Sequence, residues 1–232
     1  MISIAIIDDD VNQNVFKAID TFDYYEVNNT IKRCTPHCGH LTHSTICSAI
    51  IKNYVSTVNL VNLNIFSPGN PCANINNLAL ALRWCVSHHI SIVHLSIGSV
   101  LKSDTNFLLQ SFNEVIHSGC YVVASVSNTH TYTIPADFPG AISVVCDPSL
   151  KSGQFYILSN QDGKIRFAAS SAHSLLKHNG SYFDVKSSNS FATPVITASI
   201  ASELIFSESN SSNFSISDYL STLSRNKPSR IF

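Results

Sequence analysis

Four short strings, far apart along the chain, each present one side chain suited to acyl transfer. Ile6-Ile7-Asp8-Asp9 sets a carboxylate at the end of an apolar run, and His43-Ser44-Thr45-Ile46-Cys47-Ser48-Ala49 opens on an imidazole. Val122-Val123-Ala124-Ser125-Val126-Ser127-Asn128 ends an apolar run on an amide. Ser187-Ser188-Asn189-Ser190-Phe191-Ala192-Thr193-Pro194 carries a hydroxyl ahead of a buried helical pattern. A serine hydroxyl is a poor nucleophile until a base takes its proton, and an imidazole serves as that base when a carboxylate fixes its tautomer. An amide N–H aimed at an acyl oxygen stabilises the negative charge that builds there. Each string also has a plainer reading: Asp8, Asp9 and Asp10 as a loop cluster or helix cap, Asn128 as a turn residue, Ser190 as an N-cap.

A different chemistry competes around His43. Cys34, Cys38, His40 and His43 form a Cys-x3-Cys-x-His-x2-His cluster, and thiolates with imidazoles are a zinc-favouring ligand set. The spacing is more compressed than in zinc modules, which separate their ligand pairs by a longer loop. A zinc-binding protein is therefore the minor alternative.

Groups so far apart in sequence need a scaffold that brings strand ends and helix starts together. Buried strands are predicted over 3–7, 58–65, 91–96, 121–125 and 142–146. Helices lie between them. Leu78, Ala81, Leu82, Cys85 and Val86 form one apolar stripe, and Leu108, Phe112, Val115 and Ile116 another. This alternation predicts an α/β fold with a parallel sheet covered by helices. Turns are expected at 67–71 and 135–140, and hairpins around Ser152-Gly153 and Asp162-Gly163 within an irregular, polar segment over 148–189. A helix over 191–205 follows the candidate hydroxyl, then a loop over 207–215 and a short helix over 217–223.

Taken together, in the order Asp, His, Ser, the strings resemble the subtilisin-like serine proteases (subtilases, peptidase S8). The likeness runs from Ser3 to about Ile205. It implies a three-layer α/β/α fold with a mostly parallel central sheet, and a serine endopeptidase with Asp8 orienting the base, His43 as base and Ser190 as nucleophile. Asn128 and the Ser190 backbone N–H become the oxyanion donors. His43-Ser44-Thr45 matches the family's His-Gly-Thr, and Ser48-Ala49 its two small helix residues. Gly39-His40-Leu41-Thr42-His43 also resembles a family form and keeps His40 as a second candidate base. Residues 135–144 resemble the segment after the family's oxyanion Asn.

The resemblance further implies that Leu95, Ser96, Ile97 and Gly98 pair with a substrate backbone as an added strand. Ser125, Val126 and Ser127 match the opposite wall, with Ser127 in place of the usual Gly, so the side pocket is expected to be narrower. Three family glycines are replaced, by Asp10, Ser44 and Ser188. Glycine in such turns often serves φ > 0 or close backbone approach. The main alternative is accordingly a catalytically impaired subtilase-like protein that binds a peptide without cutting it. Retention of all four chemical groups argues for the enzyme. The implied mechanism requires no cofactor, and no acidic loop has a convincing calcium spacing. The chain looks most like compact intracellular subtilases, some of which process bacterial peptide natural products, so a leader-bearing precursor is the implied substrate.

Composition narrows the partners. The 232 residues are 44% hydrophobic, enough for one sizeable core, and a single domain over 1–232 is expected. With 14 basic and 15 acidic residues the formal charge is −1, and no long run of either sign offers a footprint for nucleic acid or an anionic membrane. No signal peptide and no apolar run of roughly 18 residues is evident. The seven cysteines are an odd number, several inside apolar patterns, which fits a reducing, cytoplasmic setting. The chain starts at its first candidate catalytic strand, so either unaided folding or an accessory folding partner is expected. A peptide or protein substrate is the other expected partner.

Overall fold

The computed structural model describes residues 1–19, 23–36, 39–67, 70, 72–129, 131–161, 163–210, 214–223 and 227–231. Its central strand, β1 (Ser3–Asp8), alternates strictly. Ile4 and Ile6 enter one core while Ala5 and Ile7 enter the other, as in a strand buried on both faces. The chain continues through β2 (Asp23–Val27), its antiparallel partner β3 (Ile31–Arg33), α1 (His43–Tyr54), β4 (Asn59–Asn64) and α2 (Ile75–Ser87). Next come β5 (Ile92–Leu95), α3 (Asp104–His117), β6 (Tyr121–Ser125) and β7 (Ile142–Cys146). The last third holds β8 (Gln154–Gln161), β9 (Lys164–Ala169), the small hairpin β10 (Ser174–Leu176) and β11 (Tyr182–Asp184), α4 (Asn189–Ser209), α5 (Ile216–Thr222) and β12 (Ser229–Arg230).

Ten strands form one sheet in the order β12-β8-β9-β7-β6-β5-β1-β4-β2-β3. From β9 through β2 the strands run parallel, and β3, β8 and β12 are antiparallel additions at the edges. Helices α2 and α3 cover one face, where Leu78, Leu82, Leu108 and Phe112 meet Ala5, Val93 and Val122. Helices α1 and α4 cover the other, where Ile51, Val195 and Ala198 meet Ile4, Ile6, Ile92 and Val123. This is the expected three-layer α/β/α arrangement. β4 and β5 flank β1, so the strand order reverses there, and the C-terminal edge of β1 opens onto the crevice where such sheets place ligands.

Several local expectations need correction. The segment read as irregular over 148–189 contains four strands, because β8 and β9 extend the sheet by pairing with each other rather than by burying a long apolar run. β8 and β9 form the hairpin expected around Asp162-Gly163; Asp162 itself lies outside the described residues, as do Pro68, Gly69 and Pro71 of the expected 67–71 turn. Ser152-Gly153 is a turn leading into β8 rather than a hairpin. β2 and β3 escaped the pattern, being short and partly exposed. α4 begins at Asn189 and ends at Ser209, so it includes Ser190 and takes part of the expected 207–215 loop. By length and composition alone α4 is apolar enough to cross a membrane. Its hydroxyls disguise this in the sequence. Thr193 returns its hydroxyl to the Asn189 carbonyl, and the first half of the helix is buried in the core.

Candidate active site

The acid comes from β1. Asp8 shares the parity of Ile4 and Ile6 and so faces α1, with its side chain only 2% exposed. α1 starts where Thr42 caps it by accepting the Thr45 N–H at 3.3 Å. Asp9 adds a second clamp: one carboxylate oxygen accepts the His43 N–H at 3.0 Å and the other the Ser44 N–H at 2.7 Å. Those first-turn N–H groups lack intrahelical acceptors and carry the positive end of the helix dipole. The clamp holds His43 over the end of β1, where its Nδ1 lies 2.7 Å from Asp8 Oδ2. Donation from Nδ1 leaves Nε2 as the acceptor.

Charge tunes this corner. Burial pulls the His43 pKa down, but the charge and hydrogen bond of Asp8, helped by Asp9, outweigh it and hold the value above 6.5. Asp9 itself is raised to about 6, first by burial and then by the neighbouring Asp8 charge, against the two backbone donors. Cys47, one turn along α1, is fully buried, and that burial keeps its thiol protonated far into the alkaline range.

The hydroxyl and the amide sit at a second corner. Ser188 caps α4 with φ −163° and ψ 160°, accepting the Phe191 N–H at 3.3 Å. Ser190 is therefore a first-turn residue rather than the cap, and its N–H has no intrahelical acceptor. Asn189 ties this turn to the end of β6. Its side chain donates to the Val126 and Ser127 carbonyls, both at 3.1 Å, and accepts the Cys146 N–H at 2.7 Å. Its backbone N–H donates to Asn128 Oδ1 at 3.0 Å. Ser190 Oγ donates to the Ser96 carbonyl at 3.3 Å. No hydrogen bond joins it to His43 among the described residues, although the rings of His43 and Phe191 pack with centroids 4.9 Å apart.

Beside these groups lies a cleft of about 790 Å³, lined among others by Asp9, Asp10, Glu26, His40, Phe66 and Ile97. Of the two histidine registers, His43 takes the Asp8 carboxylate and His40 stands exposed on the cleft wall. Ser96, Ile97 and Gly98 follow β5 toward the cleft, Ser96 buried and Gly98 exposed. A Cβ on Gly98 would lie 2.7 Å from both Ile134 O and Thr133 Cγ2, so close approach requires glycine there. Leu95 does not fit its expected place. It is fully buried and paired with Ala124 of β6, because β5 is a central strand, so pairing with an incoming peptide has to start at Ser96. Val126 likewise packs into the core, and Ser125 Oγ turns back to the Val126 carbonyl at 3.1 Å. Ser127 is half-buried, its hydroxyl 2.8 Å from that of Thr129.

The three replaced glycines cause no backbone strain. Among the described non-glycine residues only Asn29 and His89 have positive φ. Each new side chain instead takes a hydrogen bond: Asp10 accepts the Val11 N–H at 2.7 Å, Ser44 accepts from Asn62 Nδ2, and Ser188 caps α4. The zinc cluster does not assemble among the described residues. Cys38 lies outside them, and the one group of three or more metal-ligating side chains within 4.8 Å of one another among the described residues is Asp8, His43 and Cys47, without Cys34 or His40. Asp9, Asn189 and His94 escaped the sequence reading. An acid directly after Asp8 and an amide directly before Ser190 were visible signals, as was a histidine two residues before Ser96 on the same strand face.

The sequence profile of peptidase S8, the subtilase family, matches residues 1–224. A search of curated protein sequences gave no match. Among solved structures, the prenylagaramide maturation protease PagA superposes with a TM-score of 0.70 at 17% identity, covering 91% of this chain and 78% of that one. The nisin leader peptidase NisP from Lactococcus lactis gives 0.63 at 14%, covering 86% and 76%. Sphericase gives 0.64 at 18%, with the same coverage. At such identities the structures establish the shared fold, while the profile match over nearly the whole chain establishes kinship. The chain belongs to the subtilase family of serine endopeptidases.

Proposed function

We propose that this subtilase cleaves a peptide precursor by acylating Ser190. In the first step His43 Nε2 takes the Ser190 Oγ proton as Oγ attacks the scissile carbonyl carbon. The resulting oxyanion sits between Asn128 Nδ2 and the Ser190 N–H. His43 then gives its proton to the leaving amine, and the C–N bond breaks. Water, deprotonated by the same imidazole, hydrolyses the acyl-enzyme and returns the proton to Oγ. Asp8 keeps the proton on Nδ1 and stabilises the imidazolium. The observation that carries this reading is the 2.7 Å Asp8–His43 contact, made by a nearly buried carboxylate.

Two of the similar structures are named as a leader peptidase and a maturation protease, which supports a peptide precursor as substrate. The substrate strand starts at Ser96 and runs past Gly98, facing Ser127. Six described cysteines are free, three of them buried, in keeping with a reducing compartment. Binding without cleavage is favoured by one observation, the Ser190 hydroxyl resting on the Ser96 carbonyl. Digestion of a diverse synthetic peptide library, read by mass spectrometry, separates the two. Internal cleavage that Ser190→Ala abolishes supports the protease. Peptides retained intact by the folded wild type support the binding protein.

A further inference from the structure

Helix α4 has a defect at its start. In an α-helix the carbonyl of residue i accepts the N–H of residue i+4. The residue four after Ser190 is Pro194, inside the helix, and it has no N–H. The Ser190 carbonyl, part of the residue that supplies both nucleophile and oxyanion donor, is thus left without its helical partner. A buried carbonyl in that state costs on the order of 1–3 kcal/mol unless another donor reaches it.

The short bond comes from just past β5. Ser96 Oγ donates to the Ser190 carbonyl at 2.9 Å, and the Cys47 thiol is a longer, weaker second donor at 3.9 Å. Behind Ser96, on the same strand face, lies His94, fully buried between β1 and β6. Its Nε2 is 3.0 Å from Ser96 Oγ and its Nδ1 is 2.8 Å from Thr197 Oγ1, one turn beyond Pro194. A serine hydroxyl has one proton. Because that proton goes to the Ser190 carbonyl, Ser96 Oγ accepts from His94 Nε2–H, and the unprotonated His94 Nδ1 takes the Thr197 hydroxyl proton at 2.8 Å in preference to the Thr193 carbonyl at 3.2 Å. Burial depresses the His94 pKa to about 3, so the ring stays neutral and keeps this single tautomer. The bonds form one directed chain, Thr197 to His94 to Ser96 to Ser190, which returns to α4 about two turns from where it began.

We propose that His94 is a positioning residue for the nucleophile: through Ser96 it holds the Ser190 carbonyl that Pro194 leaves unpaired, and so fixes the first turn of α4 for attack. This rests on reading Ser190 as the nucleophile. The loop is closed at both ends on one helix, so it sets the distance of α4 from β5 as well as the rotation of the Ser190 peptide. Misplacement of a reacting group by about 1 Å can cost on the order of 100-fold in rate.

The test is the rate of Ser190 labelling by a fluorophosphonate, which needs no known substrate, resolved into kinact and KI. His94→Leu keeps the volume and removes both bonds. It is expected to lower kinact on the order of 10- to 100-fold while KI stays within about twofold. His94→Gln, which keeps a donor near the Nε2 position, recovers most of the loss. If His94 acts through Ser96, His94→Leu added to Ser96→Ala lowers kinact no further than Ser96→Ala alone. ¹⁵N NMR of the wild type shows His94 as the neutral Nε2–H tautomer, a result that does not depend on His94→Leu folding. Wild-type kinact in folded His94→Leu, losses that multiply in the double variant, or an Nδ1–H tautomer would each overturn the proposal. A wild type that takes no label at Ser190 overturns the functional reading, and with it this one.

Discussion

The two corners of the site are built from opposite materials. At the β1–α1 corner, charges do the positioning: Asp8 holds the His43 ring, and Asp9 holds the first two N–H groups of the same helix. At the β6–α4 corner every positioning group is neutral. Asn189 sews the helix start to the Val126, Ser127 and Cys146 backbone, and Ser96 holds the Ser190 carbonyl. The base is paired with its acid at 2.7 Å, while the hydroxyl rests on a carbonyl rather than on the base. The division has a physical reason. A catalytic imidazole gains from a nearby carboxylate, which fixes its tautomer and stabilises the imidazolium it becomes, whereas a site for a developing oxyanion has to be free of fixed negative charge and rich in aimed N–H donors.

That contrast can be broken from either side. Ser190→Ala and His43→Ala are expected to be the most severe, each lowering kcat on the order of 10⁶-fold, a magnitude that comes from a subtilisin and not from this chain. Steady-state peptide hydrolysis on folded variants checks it. Asp8→Asn follows at about 10⁴-fold, since the tautomer is lost while the ring remains. Asn128→Ala is expected to cost about 10²–10³-fold in kcat with little change in KM, again by analogy with a subtilisin. That loss is smaller because the Ser190 N–H remains as a donor.

The charged corner also predicts a pH dependence. Hydrolysis needs neutral His43, so kcat/KM rises with pH through a midpoint above 6.5. With Asp8→Asn the opposing effect of burial prevails, and NMR titration of the His43 ring in a Ser190→Ala background should find the midpoint moved down. A midpoint unmoved by Asp8→Asn contradicts the assignment of the charge to that pair. The smallest effect is expected at the neutral corner's cap. Ser188→Gly restores the family's residue and should cost only a few tenths of a kcal/mol by urea denaturation, because glycine is itself a tolerated N-cap.

How much of this was legible depended on whether a residue's role was local. The alternation of Ile4, Ile6 and Asp8 around Ala5 and Ile7 is enough to send Asp8 to one face of a buried strand. The stripes of α2 and α3 were equally plain. The start of α4 was not, because Ser187, Ser188, Asn189 and Ser190 are four consecutive residues of types that cap helices, and only the observed φ and ψ single out Ser188. β2 and β3 carry mixed polar residues, and β2 is a strand through pairing with β4 and β3 through pairing with β2. The roles of Asp9 and Asn189 lie in bonds to segments 34 and 43 residues away, which no local pattern encodes. The replaced glycines misled for a related reason: glycine's freedom mattered less than what the new side chains could bond.

The central claim is that Ser190 is a nucleophile activated by His43. Intact mass after incubation with a fluorophosphonate probe tests it most directly, comparing wild type with Ser190→Ala and His43→Ala. A single adduct on the wild type that disappears in both variants is the predicted result. A folded wild type that gains no adduct, or an adduct that survives Ser190→Ala, would contradict it.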